Sequence, residues 1–504
     1  MLKIDNNSYN IPENYTSLTN YINSLKRKAV KLDTNIPKNS VKSILVPHAG
    51  LTYSGLAACQ GYLSTDPSSF DTIIVLSTFH NSASYKSKLY LPKFLGFETP
   101  LGQIFNDMLN IKKLIISNSY FSYGSYEMFM EEHSIIHQLP LIQNIFGKNK
   151  KIIPILCGNV SSKIQDDDFF IKLMKKNRIL VVCNTDLSHV NGRFSDKANT
   201  YLDLITKDNR IIKNILDFKS KEIRGSSCCG VYAIQVFKKF LITQGQIYPR
   251  IGCYYTSQIN INNPQFKIQD ITKVKSVFNS SNSSVSYLTV IYSNVPYLSL
   301  NKTTNTRTMK YLLTRYEELY LLTLARESIN SKFDNITEDR ILDEALYSPS
   351  YNINKSVFVT IKTNRGKLRG CIGTLSIENP IVNNVIKYSR ISAFGDSRFK
   401  PITSLEGLKL YINILSEKRE ISISDYFNTE KYVPGDDGIQ LVVYKGDVVK
   451  SGFFLPSVYY EQKWNKKQQL ENLCIKARQI NENCYLDKKI KTKLFYMEGF
   501  EFTY

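Results

Sequence analysis

Histidine and tryptophan are the scarce residues of this 504-residue chain, which has five of the first and one of the second, Trp464. No histidine follows His189, so whatever the second half does, it does without imidazole as a ligand or proton carrier. The nine cysteines are scattered and no two form a CxxC pair, which excludes a zinc ribbon or a thioredoxin-like motif. Reduced thiols are the expectation for such a set. No stretch approaches the roughly 18 uncharged apolar residues of a membrane span. The opening MLKIDNNSYN lacks the apolar core of a signal peptide. A soluble, cytoplasmic protein with no membrane partner is expected.

Apolar residues make up 42% of the chain, enough to build the cores of two domains. The net charge of +21 raises the question of a nucleic-acid partner. The lysines, however, are spread along a chain rich in Asn, Ile and Tyr, not gathered into a block. RNA binding through a basic surface is therefore the minor reading.

Residues 41–296 alternate short apolar runs with helical patterns. Strands are expected at 43–47, 72–77, 151–158, 179–183 and 285–292, and helices near 123–138, 198–216 and 230–243. The Ser/Asn-rich stretch 278–285 reads as a surface loop. This alternation predicts an α/β domain, a central sheet flanked by helices, over residues 1–300. The polar, unperiodic stretch 297–308 reads as a linker. Residues 305–504 mix strands with helices such as 381–394 in α+β style, which predicts a second domain. Trp464 is expected on a helix as a packing anchor.

Three of the five histidines follow apolar, strand-like runs: VPHAG at His48, STFH at His80 and TDLSH at His189. Polar side chains delivered at strand C-termini are how open α/β sheets build sites. Cys229 precedes a helical pattern from Gly230 onward, where a thiolate is favoured, and its neighbour Cys228 competes for the same role. A thiolate with two imidazoles suits iron, copper or zinc and leaves positions vacant for a small ligand. His133 and His137 stand four residues apart on an expected helix that Pro140 would end. As a metal pair of their own they have no evident third ligand. Asp186 reads as an acceptor for an imidazole N–H or as the cap of a turn.

The strings VPHAGLTYSG, TPLGQI, EHSIIHQLP, TDLSHV and CGVYAI stand in the order and approximate spacing of the Memo-like family, which this half resembles. That family is similar in fold to the class III extradiol ring-cleaving dioxygenases. The resemblance implies metal ligation by His48, His80 and Cys229, with His133, Asp186 and His189 lining the pocket as catalytic candidates; His137, which lies outside that set, reads as incidental. Iron is the first expectation, with copper or zinc as alternatives. Leu51, Ser77, Thr78, Ile136, Val231 and Tyr232 depart from the family pattern, so its substrate preference does not transfer.

The second half carries KLRGCIGTL (367–375), SAFGDSRFKPI (392–402) and PGDDGIQLVV (434–443), and resembles the AMMECR-type domain family. Here Cys371 beside Arg369 reads either as a nucleophile of lowered pKa or as a buried strand thiol, with Arg369 paired to Asp396. Asp396, Arg398 and Phe399 read as a salt-bridged turn or an anion-binding edge. The resemblance further implies a radical-SAM protein as a partner. A metal-dependent redox enzyme acting on a small molecule or peptide is the leading expectation. The rival is non-catalytic binding of a peptide or metabolite.

Overall fold

The computed structural model describes residues 1–80, 87–160, 163–164, 168–176, 178–217, 228–297, 307–445, 447–477, 482–487 and 489–504. Two compact units result. The first comprises Met1–Pro296, Leu313–Tyr320 and Asp343–Pro349, and the second Tyr297–Leu312, Leu321–Leu342 and Ser350–Tyr504. Most of the expected linker, residues 298–306, lies outside the described residues.

Every strand expected in the first unit forms: Val41–Val46, Thr72–Thr78, Lys151–Cys157, Ile179–Asn184 and Ser284–Ser293. They belong to a 12-stranded mixed sheet. At its centre Lys151–Cys157, Thr72–Thr78, Ile179–Asn184 and Val41–Val46 run parallel in that spatial order. All seven residues of Thr72–Thr78 are buried, because helices cover both faces of a parallel sheet and leave no polar side. Ser284–Ser293 adds antiparallel beyond Val41–Val46, and Tyr248–Thr256 adds antiparallel to it.

Two local expectations fail. Residues 123–138 are not one helix. Phe121–Gly124 is a strand, and two short helices follow, Tyr126–Met130 and His133–Ile136. Pro140 does not end a helix but stands in the first turn of the next one, Leu139–Phe146. Proline suits that position because its missing N–H would have no helical acceptor there.

The second unit is α+β. Its seven-stranded sheet runs Leu368–Thr374, Ser356–Thr363, Leu408–Leu415, Lys491–Thr503, Asp437–Lys445, Val448–Phe454, and the seventh strand, Arg419–Ile421, also pairs with Lys491–Thr503; every neighbour is antiparallel. The expected helix over 381–394 forms as Ile381–Phe394, and Lys466–Lys476 lays Leu470 and Leu473 into a core with Leu441 and Val443. Trp464 is not helical. It lies just ahead of Lys466–Lys476 and packs edge-on against Phe454. Nor are all thiols free: Cys474 at the end of that helix forms a disulfide with Cys484, ten residues on. The other seven cysteines are free. Among the described residues no helix is long and apolar enough to cross a membrane.

Candidate metal-binding site

Strand order decides what can meet at the sheet's C-terminal edge. His48 follows Val41–Val46 and His80 follows Thr72–Thr78, with Ile179–Asn184 between those two strands. At about 4.8 Å per strand their backbones emerge roughly 10 Å apart. The side chains meet above the end of the middle strand, which supplies Asn184, Thr185 and Asp186 as the floor.

Each imidazole is held by its Nδ1. Asn184 Oδ1 lies 2.9 Å from His48 Nδ1, and Glu132 Oε1 lies 2.7 Å from His80 Nδ1. Asn184 is in turn fixed by donating to Ser77 Oγ at 2.7 Å and the Ser134 carbonyl at 3.0 Å. Glu132 also accepts the backbone N–H groups of His80 (2.7 Å) and Ser134 (3.1 Å). Anchoring Nδ1 leaves Nε2 for chemistry, the usual way a ligand imidazole is oriented. Neither Asn184 nor Glu132 stood out in the sequence. The available signal is the polar run NTD directly after an apolar strand, and a carboxylate next to His133.

Cys229 closes the group. Its Sγ is 3.3 Å from His48 Nε2 and accepts the Asp186 backbone N–H at 3.4 Å. The turn that presents it requires Gly230, because a Cβ there would stand 2.4 Å from Thr185 Oγ1. Thr185 Oγ1 instead accepts the Gly230 N–H at 3.0 Å. The ligand atoms of His48, His80 and Cys229 all lie within 4.8 Å of one another. That span is little more than two metal–ligand bonds of roughly 2.0–2.3 Å each.

Electrostatics separate the two neighbouring thiols. Burial disfavours the Cys229 thiolate, but the charge of His48 and hydrogen bonds from His48 and His80 overcome it and bring the thiol down to about 5. Burial pushes the Cys228 thiol up, and its Sγ rests 3.1 Å from Thr185 Oγ1. Burial likewise opposes a charged His48, yet Cys229 and Asp186 raise it to about 10. The Cys229 thiolate therefore persists above about pH 5 and is lost below. Alkylation of the metal-free protein with iodoacetamide, read by mass spectrometry, should therefore level off near pH 6 at Cys229. An unperturbed thiol keeps gaining rate to roughly pH 8.5. A Cys229 profile that still climbs tenfold per unit above pH 7 contradicts this assignment.

The remaining expected residues divide. Asp186 joins the group. Its Oδ1 accepts the His48 N–H at 2.9 Å and its Oδ2 stands 3.9 Å from His48 Nε2. His133 also joins, its ring stacked on His80 at 4.2 Å. Burial and the charge of its histidine neighbours hold it neutral, well below the usual imidazole range. Among the described residues His189 is engaged elsewhere: its Nδ1 lies 2.9 Å from the Leu187 carbonyl and its ring abuts Phe194. His137 is not incidental, since its Nδ1 lies 2.9 Å from the His48 carbonyl and its Nε2 3.2 Å from that of Tyr9.

In the second unit Arg398, not Arg369, pairs with Asp396, through Nε–Oδ1 at 2.9 Å and Nη2–Oδ2 at 2.7 Å. That pairing holds the buried Asp396 carboxyl down, at about 2. Asp396 Oδ2 also accepts the Cys371 N–H, and Arg398 donates to the Cys371 carbonyl, so the turn clamps the LRGCIG strand. Arg369 donates to the Lys400 carbonyl at 3.0 Å. Burial raises the Cys371 thiol, and Thr360 Oγ1 lies 3.2 Å from its sulfur. This environment disfavours a thiolate at Cys371 and fits the strand-thiol reading better than the nucleophile.

Two family models match this chain: one described as Memo-like protein over residues 8–291, and one described as AMMECR1 over residues 322–500. A protein of Sulfolobus acidocaldarius is 34% identical over 181 residues, 35% of this chain and 77% of its own length. One of Desulfurococcus amylolyticus, named MEMO1 family protein, is 29% identical over 225 residues, 42% of this chain and 77% of its own. The solved structure of an uncharacterized protein from Pyrococcus horikoshii is 28% identical, covering 36% of this chain and 89% of its own at a TM-score of 0.30.

Proposed function

Because this chain belongs to the Memo-like family and carries an AMMECR1 domain in its second half, we propose that its first unit is a metal-dependent redox protein acting on a small molecule or peptide. The observation that carries the reading is the convergence of His48, His80 and Cys229 on one point, each with its free donor atom turned inward. The donor set fits a transition metal. One thiolate and two imidazoles are borderline-to-soft ligands, and the Asp186 carboxylate beside His48 Nε2 adds a hard oxygen. That oxygen favours iron over cuprous copper, with zinc as the redox-inert alternative.

When bound, the ion would supply Lewis acidity and, as iron or copper, an electron. The chain's own residues do the rest. Asn184 and Glu132 hold the two imidazoles by Nδ1, and the Asp186 N–H steadies the thiolate. Neutral His133, its side chain 35% exposed beside His80, stands at the mouth, where its ring can hydrogen-bond and orient an arriving substrate; burial and the charge of its histidine neighbours make it a weak proton acceptor. The AMMECR1 domain contributes no imidazole, and its presence in the same chain supports joint action in one pathway, with a radical-SAM protein as the partner we propose.

Anaerobic purification followed by elemental analysis tests the reading. The expected result is at least about one iron per chain; transition metal below roughly a tenth of an equivalent overturns it and favours non-catalytic binding of a peptide or metabolite.

A further inference from the structure

His80 belongs to two groups of metal-binding side chains. On one side stand His48 and Cys229, on the other Glu132 and His133, and within each group the ligand atoms lie within 4.8 Å of one another. Glu132 Oε1 is 2.7 Å from His80 Nδ1 and 3.7 Å from His133 Nδ1. The His80 and His133 rings are stacked, 27° from parallel, so both edges face the same carboxylate. Exposure separates the groups. The His48 side chain is 1% exposed, whereas His80 and His133 are 32% and 35% exposed. One imidazole therefore links a buried set that contains sulfur to an outer set of nitrogen and oxygen.

We propose that His80, Glu132 and His133 form a second metal position at the mouth of the site, for a divalent ion such as iron(II), cobalt(II) or zinc. Two imidazoles and one carboxylate are the donor set of mononuclear non-haem iron(II) sites, and they leave coordination positions open to solvent or substrate. The ion replaces the proton between His80 Nδ1 and Glu132, and that proton leaves to solvent. With the outer position empty, the same carboxylate orients His80 for the inner one. His137 is not a fourth donor, because both its nitrogens face backbone carbonyls. The inference rests on the inner-site reading only through the shared His80, and the two can fail separately.

Cobalt(II) titration of the metal-free full-length protein tests it, because thiolate-to-cobalt charge transfer in the near ultraviolet marks the inner position alone. Wild type should take up two equivalents, one of them with the charge-transfer band. His133→Ala should stop at one equivalent and keep the band; Glu132→Gln should also stop at one equivalent with the band, but with inner affinity weakened by roughly 10–100-fold because it also orients His80; Cys229→Ser should stop at one and lose the band. A wild type that saturates at one equivalent with the band overturns the outer position and leaves the inner one standing. Two equivalents that persist in both Glu132→Gln and His133→Ala also overturn it. One equivalent without a band, unaffected by Cys229→Ser, overturns the inner reading and leaves the outer position standing.

Discussion

Cys229→Ser is expected to lower affinity for iron(II) or cobalt(II) more than any other single substitution at the site. Removing an outer partner that orients a ligand costs roughly 10–100-fold in metal affinity. Loss of a ligand atom itself should exceed that range, so more than about 100-fold. Serine keeps the size of the side chain but offers no anion at neutral pH, so Asp186 N–H and His48 Nε2 lose the charge they face. His48 in turn loses its strongest favourable partner against burial, and its pKa should fall. Asn184→Ala gives the graded comparison: the His48 ligand remains, but the acceptor at Nδ1 is gone, and the loss should stay within the smaller range. Competition with a chromophoric chelator measures both. Equal losses in the two variants, or none in Cys229→Ser, remove the thiolate from the ligand set.

Gly370→Ala is expected to destabilise the second unit by about 1–3 kcal/mol, and by more if the strand cannot shift. The reason is a single contact. A Cβ on Gly370 would sit 2.0 Å from the backbone oxygen of Ser392, in the helix Ile381–Phe394. A backbone oxygen cannot swing aside as a side chain can. Ser392 also ties the same helix to the sheet, since its Oγ accepts the Ile372 N–H at 2.9 Å and donates to the Val359 carbonyl at 2.7 Å. The methyl group thus forces strand and helix apart and strains both bonds. Trp464, the only tryptophan, lies in this unit against Phe454 and reports its unfolding by fluorescence. A fall of several degrees in the midpoint is expected, at roughly 2–4 °C per kcal/mol for a unit of this size. An unchanged midpoint would mean that helix and strand are not packed this closely.

Local signals carried the regular parts of the fold. Apolar runs such as TIIVLST and ILVVCN became strands within a residue or two, because burial on both faces demands uninterrupted apolar side chains. The capped helix Tyr201–Leu216 followed for a similar local reason, its Thr200 side chain accepting the Asp203 N–H. Residues 123–138 were less legible. A helical spacing of apolar residues there does not reveal that Gly124 and Ser125 end a strand and begin a new turn. Pairings between distant cysteines or charges carried no signal at all. Nothing in the spacing of Cys474 and Cys484 distinguishes them from the seven free thiols, and nothing local in the sequence shows that Arg398 rather than Arg369 holds Asp396.

By itself the sequence determined which side chains are available for chemistry. There are five histidines, all in the first half, and one thiol of an adjacent pair set before a helix, so any imidazole-held metal belongs to residues up to His189. Tertiary structure decided which of them meet. The placement of Ile179–Asn184 between the strands of His48 and His80 makes Asn184 and Asp186 the floor of the site. It turns Glu132 toward His80, gives Cys229 rather than Cys228 the low pKa, and leaves His189 to other contacts. The physical reason is that strand order and the electric field at one atom are sums over residues distant in sequence, and neither is written in the local pattern of any one of them.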